Sequence, residues 1–154
     1  MDEQNTKKTI NEHYSGLPAD LKRLIISPEI GQILSRIALT YGLDRIQTIK
    51  FKNETMFILF GMEPIDHYLT NLVEEAGIDQ ATAQKITFDV DVEIFSRVFK
   101  TLESLAEELW QIELALSEEE DSADTPASQV RAFVKQTGSD SIASLALEIA
   151  KNKK

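Results

Sequence analysis

Three carboxylates stand two residues apart in the middle of the chain, at Asp89, Asp91 and Glu93. On a β-strand they would share one face and could offer hard oxygen ligands to magnesium or calcium. On an α-helix, residues two apart point roughly 200° from one another, so the three side chains could not converge on one ion. The stretch also lacks the glycine and the ligand count of a calcium-binding loop. The residues therefore favour a solvated acidic face, and we predict neither a metal nor a cofactor.

The other candidates for chemistry near neutral pH are the two histidines, His13 and His67. His67 is close in sequence to Glu63 and Asp66, and a carboxylate could orient its ring for general-base catalysis. No cysteine nucleophile, no G-x-S-x-G motif and no second histidine at metal-ligand spacing accompanies it. We interpret His67 as a surface residue of an amphipathic helix. A small metal-dependent or histidine-using enzyme is the alternative function.

Charged side chains are distributed unevenly along the 154 residues, which carry 16 basic and 26 acidic groups. Residues 61–127 hold seventeen of the acids and three of the bases, whereas residues 128–154 hold two acids and five bases. A net charge of −10 repels nucleic acid and acidic membranes at long range. We therefore predict no nucleic-acid and no membrane partner, with a nucleic-acid-associated regulator acting through the basic tail as a second alternative. The acidic middle and the basic tail could also attract each other.

The composition is that of a globular domain, with 42% apolar and 27% charged residues. The absence of cysteine excludes disulfides and thiolate metal sites. Residues 1–11 contain no apolar signal-peptide core, and no run approaches the ~20 apolar residues of a membrane span. These features predict a cytoplasmic protein.

The elements that would position these residues are predicted to be helices. Residues 1–16 are polar and are expected to form a flexible arm, followed by a short helix over 19–26. Ser27 is a favourable N-cap for a helix that begins at Pro28, and Gly42 is a typical C-terminal stop.

Residues 43–60 allow two interpretations, because they are rich in β-formers and contain a possible hairpin turn over 52–55. Two short helices are favoured, since an isolated two-stranded hairpin is marginally stable. Residues 64–76 then have the periodicity of an amphipathic helix that Gly77 would end.

The longest predicted element is a single helix within residues 79–120, which contain neither proline nor glycine. Its apolar stripe recurs at three- and four-residue spacing through Ile86, Val90, Ile94, Val98, Leu102, Leu105, Leu109, Ile112 and Leu116. Such a helix requires a second neighbour to cover the apolar residues beside the stripe, namely Phe88, Val92, Phe95 and Phe99. The predicted fold is thus all-α, with short amphipathic helices packed on one long helix. A core domain of residues 17–116 would be followed by an acidic linker over 117–128 and a terminal helical pair over 129–152.

The resemblance to a known kind of domain rests on apolar spacing and two glycines across residues 17–102. Their order runs through Leu17-Pro18, Ser27-Pro28-Glu29 and the segments 37–43, 54–61, 69–78 and 86–95. It resembles a small helical domain of uncharacterised bacterial proteins, especially those of candidate phyla with reduced genomes. The resemblance implies several short helices leading into a long one, favours helix over hairpin at 43–60, and implies no activity or cofactor.

Apolar side chains in the second half of the long helix form the main candidate site, a surface for protein partners. The predicted contact residues are Phe95, Phe99, Leu102, Leu105, Leu109, Trp110, Ile112 and Leu116. The sequence leaves open whether the preceding helices bury Phe95, Phe99 and Trp110. We predict a non-enzymatic helical interaction or assembly protein that forms a homo-oligomer through the long helix and has no identified small-molecule substrate.

Overall fold

The computed structural model describes residues 3–117, and within this range the chain is helical and contains no strand. The helices are α1 (Glu3–Ser15), α2 (Ala19–Ile26), α3 (Pro28–Thr40), α4 (Arg45–Leu59), α5 (Tyr68–Glu74), α6 (Gln80–Glu93) and α7 (Phe99–Ser117). Two 3₁₀ turns, Ile65–His67 and Phe95–Arg97, precede α5 and α7. The predicted all-α class is confirmed for this part of the chain. The predicted acidic linker after Ser117 and the terminal helical pair lie outside the described residues.

Helix α4 is the centre of the fold. Every residue from Asn53 to Leu59 is buried, so the second half of this helix is covered on all sides. A helix buried all round is expected in the middle of a domain rather than on its surface. The β-rich composition of residues 43–60 therefore reflects burial, and the segment is one continuous helix instead of the two short helices predicted.

Local signals set the ends of the helices that surround α4. The Ser27 side chain accepts a hydrogen bond from the amide of Glu29 at 3.3 Å, and Asp79 caps α6 in the same way through Thr82 at 3.0 Å. At the end of α3, Gly42 adopts a φ of 64°, and the amide of Leu43 donates to the carbonyl of Ala38. This left-handed glycine ends the helix as the sequence predicts.

The amino-terminal segment differs from the predicted arm. Residues Glu3–Ser15 form α1, which contributes the fully buried Ile10 and the largely buried Tyr14 to the core. The Tyr14 ring lies 6.1 Å from that of Phe60 at the end of α4. The two apolar residues are four apart, which places them on one helical face, so a polar segment can still form a packed helix.

The predicted long helix is interrupted between α6 and α7. Ile94 and Val98 leave helical geometry, with φ/ψ of −122°/−63° and −134°/23°, and the Phe95–Arg97 turn lies between them. The apolar stripe explains why, since its members from Ile86 to Leu102 are all four residues apart and all buried. On a straight helix a strict four-residue spacing rotates by about 40° per step, or roughly 160° over this stretch. Because the helix is interrupted here, the whole row from Ile86 to Leu102 can stay buried in the same core.

Polar contacts to α3 support the end of α6 and the turn that follows. The guanidinium of Arg97 donates to both carboxylate oxygens of Glu29, at 3.0 and 3.3 Å, and Arg36 forms an ion pair with Glu93. Both pairs join residues more than fifty positions apart in sequence, and they link α3 to the end of α6 and to the turn before α7. Within residues 3–117, no helix is long and apolar enough to cross a membrane.

Candidate interaction surface on helix α7

The acidic trio of α6 does not converge. Asp89 accepts a hydrogen bond from the phenol of Tyr41, and Glu93 pairs with Arg36, so both point toward α3. Asp91 lies on another side of α6, where it lines a groove beside α7. The helical geometry predicted from the two-residue spacing accounts for this divergence. Among the described residues, no group of three or more histidine, aspartate or glutamate side chains is placed to hold a metal ion.

The two histidines lie on different sides of the molecule. His67 Nδ1 is 3.3 Å from an oxygen of Glu63, the neighbouring carboxylate that the sequence suggested. His67 lines the same groove as Asp91. His13, on α1, is half-buried against the end of α4. Burial lowers the pKa of its imidazole, although a hydrogen bond with the backbone of Phe60 opposes the shift.

Helix α7 carries apolar residues on two sides. At about 100° per residue, Phe99, Ala106 and Trp110 share one side, whereas Leu105 and Ile112 lie roughly 130° further round. The first side faces the 3₁₀ turn before α5, and the second faces Leu17 and Gly61. This helix therefore presents apolar surface over a much wider arc than the single stripe of a simple amphipathic helix.

The structure divides the predicted contact residues into buried and exposed groups. Phe95 and Leu102 are buried, with the Phe95 ring edge-on to Tyr68 at 5.1 Å, so they belong to the core rather than to a contact surface. Leu105 and Leu109 are half-buried. The exposed group is Phe99 at 51%, Trp110 at 55% and Ile112 at 54% of full exposure. Leu116 lies in α7, but its side chain is outside the described part of the chain.

A groove of about 1100 Å³ runs along the Phe99 side of α7. Its apolar lining comes from Ile65 and Leu69 on the facing elements and from Phe99 and Trp110 on α7. From Phe99 to Trp110 the helix rises about 16 Å, which is the length of three helical turns. The groove is thus long enough to accept a short helix lying beside α7.

The rim of this groove is strongly acidic. It carries the carboxylates Asp66, Asp91, Glu103, Glu107 and Glu108, and no lysine or arginine is found among the described residues that line it. Within the part of the chain that the structure describes, none of these five forms an ion pair. Although Asp91 is exposed overall, partial burial against the groove raises the pKa of its carboxyl group. An apolar floor with an unpaired acidic rim is suited to a basic amphipathic ligand.

A small buried polar layer lies close to the groove. The hydroxyl of Thr55 is 2.7 Å from the phenol oxygen of Tyr68, and Glu54 is buried on the same helix as Thr55. Burial raises the pKa of Tyr68 strongly, and the negative charges of Glu54 and Asp91 add to the shift while the bond to Thr55 opposes it. The Thr87 hydroxyl, which lines the groove, is buried without a hydrogen-bond partner among the described residues.

A second, smaller cleft of about 300 Å³ lies on the other apolar side of α7. It is lined by Leu109 and Ile112 on α7, by His13 on α1 and by Gly61 after α4. Gly61 has a φ of 71°, and a Cβ atom there would lie 3.3 Å from Leu105 Cδ1. Leu105 thus lies close to this backbone, whereas Leu109 and Ile112 further along α7 line the open cleft.

Sequence reasoning missed the groove because its walls come from three separate elements. Residues Ile65 and Asp66 were assigned to one helix, but they form a 3₁₀ turn that packs against α7. The sequence contained one usable signal, the strict four-residue spacing from Ile86 to Leu102, which predicts a change of helix direction. A break there makes α7 a separate helix with its own two faces.

Comparisons of the chain with protein-family models, with curated proteins and with solved structures find no match. The fold and the site therefore define only a structural class: within the described residues, this is an all-helical protein with a central buried helix. Its last described helix, α7, carries exposed aromatic and aliphatic side chains beside an acidic groove.

Proposed function

We propose that this chain is a non-enzymatic assembly protein that associates with further copies of itself through α7. The observation that carries the proposal is the exposure of Ile112, which is more than half exposed on a helix that extends beyond the core. Leu102 is the last buried residue of α7 among the side chains described, and Leu105 and Leu109 are only half-buried. Aromatic and aliphatic side chains of this kind are typical anchors of helix-to-helix interfaces.

Two copies of α7 could cover these residues mutually. In a dimer with twofold symmetry, the same patch meets itself, so Ile112 and Leu109 of one copy would pack on their counterparts. The side that contains Ile112 has fewer carboxylates than the Trp110 side, where Glu103 and Glu107 line the groove. Like charges would oppose contact between two acidic grooves, so the Leu109 and Ile112 side is the better self-associating face.

Light scattering and sedimentation of the full chain at micromolar concentrations test this function. We expect a concentration-dependent dimer that Ile112→Asp weakens by about tenfold or more, corresponding to about 1.4 kcal/mol. Ile46→Asp is the matched control, because Ile46 is 65% exposed near the start of α4 and far from α7 in sequence. A monomer at every concentration, or equal weakening by both substitutions, would overturn the proposal.

A further inference from the structure

We infer that the acidic groove beside α7 is a docking site for the chain's own basic segment, residues 129–136. The groove offers an apolar floor that includes Phe99 and Trp110 and a rim of five carboxylates without ion pairs among the described residues. An occupant must therefore combine apolar and basic side chains. This inference goes beyond self-association and does not depend on it, because the Ile112 side of α7 stays open when the groove is filled.

The sequence of the segment matches the groove in both respects. Residues 129–136 contain the basic Arg131 and Lys135 and no acidic residue. Val130, Phe133 and Val134 recur at the spacing of one helical face, with the two bases four residues apart beside it. As a helix, eight residues would extend about 12 Å, which fits along the roughly 16 Å of α7 between Phe99 and Trp110.

The connection is long enough for this return. From Ser117, where α7 ends, to residue 129 the chain can extend roughly 40 Å, whereas α7 itself is about 27 Å long. Residues 118–128 include five acidic side chains and no basic one, so the acidic rim would repel them while attracting the segment that follows. The order of charges along the chain thus favours docking of residues 129–136 rather than of the connection.

Trp110 is the only tryptophan, so its fluorescence reports directly on the groove. In the full chain we expect docking to shield the indole from acrylamide. Arg131→Glu combined with Lys135→Glu should raise the quenching constant and shift the emission to longer wavelength. Molar salt should have the same effect on the original chain, because it reduces the screening length to about 3 Å. The control is Lys153→Glu with Lys154→Glu, an equal charge change outside the segment, which should leave the signal unchanged.

A charge exchange makes the test specific. Glu103→Lys with Glu107→Lys should expose Trp110, and adding Arg131→Glu with Lys135→Glu should shield it again. Both glutamates are exposed, so the substitutions spare the core, and circular dichroism verifies this. Equal quenching in the original chain and the Arg131, Lys135 variant, or failure of the exchange to restore shielding, would overturn the inference.

Carbodiimide crosslinking of mixed nitrogen-15-labelled and unlabelled chains identifies which copy supplies the segment. Crosslinks between Lys135 and Glu103 or Glu107 should join peptides of the same isotope composition. Peptides of mixed composition would place the segment on a second copy and overturn docking within one chain. Light scattering on the same samples separates the two proposals. A shielded Trp110 in a monomeric chain would reject self-association and leave the docking of residues 129–136 standing.

Discussion

The phenol oxygen of Tyr68 lies 2.7 Å from the hydroxyl oxygen of Thr55, and both side chains are buried. Thr55 also donates to the carbonyl of Phe51 at 3.0 Å. Since the threonine proton is used in that bond, Tyr68 is the donor in the pair. One tyrosine proton therefore links α5 to the central helix.

Tyr68→Phe should lower the free energy of unfolding by about 1 kcal/mol, because it removes this bond and keeps the ring. Thr55 would still be bonded to Phe51, so no buried donor is left without a partner. Urea denaturation followed by circular dichroism measures the change. Tyr41→Phe is the control, since the Tyr41 phenol bonds Asp89 in a partly exposed position, and its loss should be smaller. An unchanged stability in Tyr68→Phe would contradict the buried bond.

Alkaline pH should destabilise the fold through the same residue. The pKa of Tyr68 is raised in the folded state, so the neutral phenol is the form that the core accepts. Its contribution is fully present below the ordinary tyrosine value of about 10 and is lost as pH rises toward the folded value. Urea midpoints should therefore fall as the pH rises above about 10. They should fall less steeply in Tyr68→Phe, and parallel curves for the two proteins would refute the assignment.

Asp44 begins α4 with a capping box. Its carboxylate accepts from the amide of Gln47 at 2.8 Å, and the Gln47 side chain accepts from the amide of Asp44 at 3.1 Å. Asp44→Ala should cost about 1 kcal/mol of stability, whereas Asp44→Asn, which can still cap, should cost little. Thermal or urea unfolding distinguishes the two. Equal losses of stability in the two variants would show that the charge of Asp44, and not its capping hydrogen bond, stabilises α4.

Gly61→Ala should be more destabilising than Gly42→Ala. Both glycines have positive φ, so alanine costs about 1 to 2 kcal/mol at either position. Only at Gly61 does the added Cβ meet a neighbour, Leu105 Cδ1 at 3.3 Å; nothing lies within 4 Å at Gly42. The additional loss of stability in Gly61→Ala relative to Gly42→Ala, measured by urea unfolding, should vanish when Leu105 is also replaced by alanine. Its persistence there would mean that α7 does not pack against this turn.

Residues that act locally allowed several of the helical boundaries to be predicted. Ser27 with Pro28 begins α3, Asp79 begins α6, and Gly42 ends α3, as their side chains and backbone freedom require. These signals act over a few residues, so the sequence contains them in full.

Features that depend on distant contacts could not be predicted in this way. Ile10 and Tyr14 appear in a polar segment, and only their packing against the core stabilises α1. The ion pair between Glu29 and Arg97 joins residues 68 apart, so nothing near Arg97 indicates it. The groove was missed for the same reason, and the exposure of Phe99 and Trp110, which the sequence leaves open, comes from the structure alone.

Among the described side chains, the last buried residue of α7 is Leu102 in its first turn, which has a consequence for how the molecule can vary. Substitution of Leu102 would disturb packing in the core, whereas Trp110 and Ile112 project beyond it and contribute little to folding. Side chains at the outer turns can therefore be exchanged with little loss of stability. In this molecule, the outer surface of α7 and the capacity to fold can evolve as separate traits.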